Sequence, residues 1–128
     1  MFERTIVFGE RFYSWLSSVV GSNVGVYRGV LPAGKTPENV YVVFSASVDD
    51  FAKPFILPIR IYTKGTSSYR TALTVAQTIE EAVSSAGTLV LFPDVAFKVE
   101  KGSPFYQDLQ DEDETIKAGY INLEITIY

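Results

Sequence analysis

The chain has 128 residues, a formal net charge of −4, 47% hydrophobic and 14% aromatic residues, and neither Cys nor His. That length fits a single domain, residues 1–128, able to bury about two thirds of its unfolded surface, and the composition is too apolar for a disordered chain. The acidic balance excludes a basic nucleic-acid-binding domain, and the missing Cys and His exclude disulfides, thiol nucleophiles, ordinary zinc sites, Ser-His-Asp triads and imidazole switches.

Residues 5–20 read as a helix. Phe8, Phe12, Trp15, Leu16 and Val19 fall on one face of a 3.6-residue period, and Gly21 suits the positive φ that follows a helix end. Such an aromatic stripe is read as core rather than as a ligand pocket. Nowhere does an apolar run reach the length of a signal peptide or membrane span, so a soluble chain with no membrane contact is expected.

Residues 24–31, "VGVYRGVL", read as a first strand, and "PAGKTPEN" as a turn-rich loop. Residues 40–47 form a second strand, and "VDDFAKP" a loop or hairpin with Asp49 and Asp50 at its tip and Lys53 behind them. Residues 55–64, "FILPIRIYTK", are a third strand, bulged or at a sheet edge at Pro58, which has no N–H to give a ladder. Arg60 and Tyr62 share one face of it, Ile59 and Ile61 the other.

"GTSSYRTALTVAQTIEEAVSSAG" is the clearest helix. Ser67 or Ser68 can cap it, Tyr69, Ala72, Leu73, Ala76, Ile79 and Val83 make its buried stripe, and Gly87 ends it. "TLVLF" is a short strand stopped by Pro93, "VAFKVEK" continues after a bend, and "GSPFYQ" is a turn. In "GYINLEITIY" the residues Ile121, Leu123, Ile125 and Ile127 alternate with Asn122, Glu124 and Thr126, so the last strand has one face on a core. The order is helix, three strands, helix, two or more strands, with short connections. It predicts an α+β two-layer domain: a mostly antiparallel sheet with two helices packed on one face, and no Rossmann alternation.

Candidate chemistry concentrates in "QDLQDEDE", where Asp108, Asp111, Glu112, Asp113 and Glu114 place five carboxylates in seven positions. Counted from Asp108 as an EF-hand loop, position six is Asp113 where Gly is needed and position twelve is Gly119 where Glu is needed. No GxGxxG or GxxxxGK[ST] phosphate loop accompanies them. The run reads as a solvated loop or a partner-facing surface; a small metal- or ligand-binding domain is the rival. A Ser68–Lys64 dyad is conceivable, but helix capping accounts for the serines. Arg60, Lys64 and Arg70, with Tyr62 and Tyr69, form a thin basic cluster suited to carboxylates within the chain or across an interface. Tyr13, Tyr27, Tyr41, Tyr62, Tyr106, Tyr120 and Tyr128 are spread along the chain, and Tyr is enriched at protein interfaces.

Three passages, "VYRGVLPAGKTPENVYVVF", "FILPIRIYTKGTSSYRTALTVAQTIEEAV" and "SPFYQDLQDEDETIKAGYINLEITIY", together with the order of elements, resemble the tail terminator and minor capsid or minor tail proteins of long-tailed bacteriophages and prophages. The resemblance covers most of the chain through diffuse patterns. It implies a non-enzymatic virion protein, assembled in the host cytoplasm, with no cofactor and no catalytic residues to carry over. Such proteins form rings, commonly hexamers, that cap the tail tube and meet the head–tail connector, with DNA passing through unbound. Tail-tube and head-completion subunits are the neighbouring alternatives. The expected interface or lumen residues are Asp49, Asp50, Lys53, Arg60, Tyr62, Asp108, Asp111, Glu112, Asp113 and Glu114. An acidic lining would repel phosphate rather than hold it.

Overall fold

Two periodicities, 3.6 in the helices and 2 in the strands, sort the side chains into two layers. The computed structural model describes residues 2–29, 39–45, 53–64, 69–83, 86–109 and 116–128. They form α1 (Phe2–Val20), β1 (Gly25–Arg28), β2 (Val40–Phe44), β3 (Phe55–Lys64), α2 (Arg70–Ala82), β4 (Thr88–Leu91), β5 (Ala96–Leu109) and β6 (Ile116–Ile127). The strands make one sheet in the order β1-β2-β3-β6-β5-β4. The α+β class and the mostly antiparallel sheet under two helices are as the sequence predicts: β2–β3, β3–β6, β6–β5 and β5–β4 all pair antiparallel.

β1 departs from the expectation, since it runs parallel to β2, with Gly25 opposite Tyr41 and Arg28 opposite Phe44. Residues 29–39 are close to the dozen that a crossover needs, so this connection does not force a hairpin.

The core lies between the sheet and the helices. α1 contributes Phe8, Phe12 and Leu16, all fully buried. The Phe12 ring sits 5.0 Å from Phe44, 5.7 Å from Phe8 and 6.1 Å from Phe97, centroid to centroid. The sheet answers with Val42, Phe44, Leu57, Ile59, Ile61, Phe97, Val99, Ile121, Leu123 and Ile125. The clean alternation of β6 is realised: Ile121, Leu123, Ile125 and Ile127 are all buried.

On α2 the buried residues are Ala72, Val75, Ala76 and Ile79, followed by Val83. Leu73, expected in that stripe, is instead 47% exposed. At about 100° per residue, Leu73 stands about a quarter-turn to one side of the line through Ala72, Ala76, Ile79 and Val83, and Val75 stands slightly less far to the other side, so the buried arc extends towards Val75 and leaves Leu73 out. Tyr69 occupies the N-cap position without a side-chain cap bond; Ser67 and Ser68 lie outside the described residues. Tyr69 Oη donates to the Leu109 carbonyl at 3.1 Å.

Two further expectations are corrected. β3 is a central strand, and its register against β6 runs unbroken from Phe55 to Lys64, so Pro58 causes no bulge. β2 ends at Phe44, opposite Ile59, and Ser45 N–H donates to the Pro58 carbonyl at 3.4 Å. The Pro58 nitrogen points the same way as its carbonyl, past the end of β2, where no ladder donor is required. The edge that proline needs is thus local. "GSPFYQ" is not a turn but part of β5, whose register against β6 shifts between Lys101 and Tyr106 around a cis Ser103–Pro104 bond. A strand as long as β6 pairs on both sides of these turn-forming residues, and they become an irregularity within one strand. Asn122 Nδ2 closes it by donating to the Pro104 carbonyl at 3.0 Å.

Candidate functional site

Both helices cover one side of the sheet, and the side chains that alternate with the core emerge on the other. Cross-strand register brings them together. Tyr41 is opposite Tyr62 and Val43 opposite Arg60, while Arg60 is opposite Tyr120 and Tyr62 opposite Ala118. Tyr41, Val43, Arg60, Tyr62 and Tyr120, with Gly29, Ser45, Pro58 and Leu109, line an open groove of about 560 Å³.

Its walls are aromatic. The Tyr41 and Tyr62 rings stack at 5.0 Å with 18° between planes, and Tyr27 meets Tyr41 edge-on at 6.0 Å. Tyr120 Oη donates to Gln107 Oε1 at 2.8 Å, which fixes the ring on the far side. Lys64 Nζ lies 5.9 Å from the Tyr41 ring centroid, so Lys64 joins Arg60 beside the groove. None of the lining residues is acidic. Arg60 is exposed and has no carboxylate at ion-pair distance among the described residues, unlike Arg11, Lys98 and Lys101, which pair with Asp94, Glu100 and Glu80. The groove can therefore offer a guanidinium flanked by flat, partly apolar walls to a carboxylate or other anion.

Of the residues expected at an interface, Arg60 and Tyr62 come together here. Lys53 is exposed just before β3. Asp108 is opposite Gly119, which is opposite Ile61, so it stands on the helix side of the sheet, where it accepts a 2.8 Å bond from Tyr106 Oη. Burial, then that carboxylate, pushes the Tyr106 hydroxyl far above its ordinary pKa. Asp49, Asp50, Asp111, Glu112, Asp113 and Glu114 lie outside the described residues. The basic cluster divides: Lys64 keeps company with Arg60, whereas Arg70 and Tyr69 sit at the start of α2, with Lys117 Nζ 5.8 Å from the Tyr69 ring. Sequence reasoning did not join Tyr41, Tyr120 and Leu109 to Arg60. Their parity within each strand was readable, but the register that aligns the strands is not a local property.

One strong ion pair lies elsewhere. Arg11 of α1 holds Asp94, in the β4–β5 turn, through Nε at 2.9 Å and Nη2 at 2.8 Å, and its guanidinium sits 5.3 Å from the Phe92 ring. The hydrogen-bonded guanidinium holds the Asp94 carboxyl below the usual aspartate value.

No family model matches the chain, and no curated protein matches it. Among solved structures, one chain that carries no descriptive name superposes with a TM-score of 0.63 at 14% identity, over 94% of this chain and 90% of its own. A chain from the virion of a native gene transfer agent particle superposes with a TM-score of 0.57 at 18% identity, over 88% of this chain and 83% of its own. At these identities the likeness is one of fold, and it spans nearly the whole order of elements.

Proposed function

We propose that this chain is a non-enzymatic structural protein of a phage-type virion, and within that class a tail terminator. In this reading it assembles as a ring, commonly of six copies, that caps the tail tube and meets the head connector while DNA passes through the lumen unbound. The observation that carries the reading is the shared fold with a chain of a gene transfer agent virion over 88% of this chain. Supporting it, the sequence has no His, no Cys and no phosphate loop, and among the described residues one face of the sheet, lined by tyrosines and Arg60, carries no helix. Ring subunits meet heterologously, one patch against a different patch, and closure consumes both.

The test is mass photometry and negative-stain imaging of the purified protein, alone and with preformed tail tubes. Single closed rings that bind one end of a tube are expected. Spontaneous long tubes would make it a tube subunit. A monomer at every concentration, with a melting temperature raised strongly by Ca²⁺ or Mg²⁺, would replace the structural reading with a cation-binding domain.

A further inference from the structure

We propose that the Arg60 groove receives the acidic run Asp111–Glu114 of a neighbouring copy. This inference rests on the ring reading above and names the contact that would close the ring.

The groove is basic on an acidic protein. The chain carries 15 Asp and Glu against 11 Lys and Arg, yet among the described residues no carboxylate lines the groove and Arg60 has no acidic partner. The densest set of carboxylates in the sequence is the run Asp111, Glu112, Asp113 and Glu114. Charge complementarity between the two is the first argument. The second is the setting of Arg60. A guanidinium flanked by Tyr62 and Tyr120, beside a stacked Tyr41–Tyr62 pair, is the combination of Arg and Tyr in which interface energy concentrates. The aromatic walls exclude water around the ion pair once an occupant covers them, which strengthens a charge-assisted hydrogen bond.

The third argument is directional. A contact between a groove on one copy and a different segment on the next propagates around a ring when each copy gives its segment to one neighbour and receives one from the other, and closes a two-fold dimer when two copies exchange segments reciprocally, so closed rings rather than dimers are the expected product. Leu109, the last described residue before the run, lies on the rim of the same groove. The run begins two residues after Leu109 in sequence, so pairing within one chain is the competing arrangement, and the experiment distinguishes the two.

The experiment is a charge swap read by mass photometry. Arg60→Glu is one variant; Asp111→Lys, Glu112→Lys, Asp113→Lys and Glu114→Lys together make the other. Each alone is expected to lose the ring population seen for the unaltered chain, while each monomer keeps its melting temperature. An equimolar mixture is expected to recover rings, because strict alternation in an even-numbered ring restores every contact. If the lysine variant does not fold, the neutral set Asp111→Asn, Glu112→Gln, Asp113→Asn, Glu114→Gln with Arg60→Gln replaces the pair, and each neutral variant should need a protein concentration at least about tenfold higher for half-assembly, equivalent to about 1.4 kcal/mol per contact. Rings that form normally from Arg60→Glu overturn the inference and leave the ring reading standing. Recovery only when both swaps share one chain, and never by mixing, also overturns it, since the pairing is then internal. An unaltered chain that never assembles overturns the ring reading itself.

Discussion

Gly119 shows how one residue can be fixed by a contact far away in sequence. It lies within β6, and a Cβ added there would come 2.5 Å from Tyr106 Oη and 2.7 Å from the ring. The glycine thus makes room for Tyr106, whose hydroxyl is held by Asp108. Gly119→Ala should cost about 1–3 kcal/mol, the usual penalty for overpacking. The double change Gly119→Ala with Tyr106→Ser should cost less than the sum of the single changes, because the second removes the clash. Additive urea-denaturation free energies would show that Tyr106 is not the obstacle. Asp94 makes a second prediction at this scale. Its folded pKa is lowered by Arg11, so its contribution is present above the unfolded value and is lost as pH falls through the folded one. Asp94→Asn should melt at a lower temperature than the unaltered chain at neutral pH. The two melting curves should converge in acid, where the unaltered carboxyl is protonated too.

At the scale of elements, α2 separates what a pattern reveals from what packing decides. Two leucine-sized residues on it look equally suited to the core, but Ile79 is fully buried and Leu73 is 47% exposed. Ile79→Ala should therefore cost about 2–5 kcal/mol, and Leu73→Ala should stay within about 0.5 kcal/mol. Equal losses in denaturation midpoint would mean that the helix is rotated relative to the face described. The helix and its approximate stripe were legible because a 3.6-residue period is a local property. The alternation of β6 was legible for the same reason, as was the shared face of Arg60 and Tyr62. The parallel pairing of β1 was not, because it depends on which neighbour the chain finds after residues 29–39. The turn-like "GSPFYQ" became part of β5 because β6 pairs on both sides of it, and a partner strand is invisible in a local window. The groove was half legible: Arg60 and Tyr62 come from one strand, while Tyr41 and Tyr120 join them only through register.

Among the described residues the molecule is a sheet with one face under both helices, one face without a helix, and two unlike ends. β1 closes one end, and its Arg28 guanidinium packs against Gly9 of α1, where any side chain would collide with it. β4 closes the other with four residues, of which Leu89 is 55% and Leu91 70% exposed on the open face. An edge strand with two exposed leucines is a surface that a second chain can cover, and it lies across the sheet from the Arg60 groove. A ring needs two such unlike patches on each copy. If β4 belongs to the assembly surface, Leu89→Lys with Leu91→Lys should leave the monomer folded, with a stability change within about 0.5 kcal/mol, the usual range for surface substitutions. The same pair of changes should shift the mass distribution from rings to monomers, since two lysine charges on an edge oppose the approach of another strand. Rings that survive this change unaltered would remove β4 from the proposed contact.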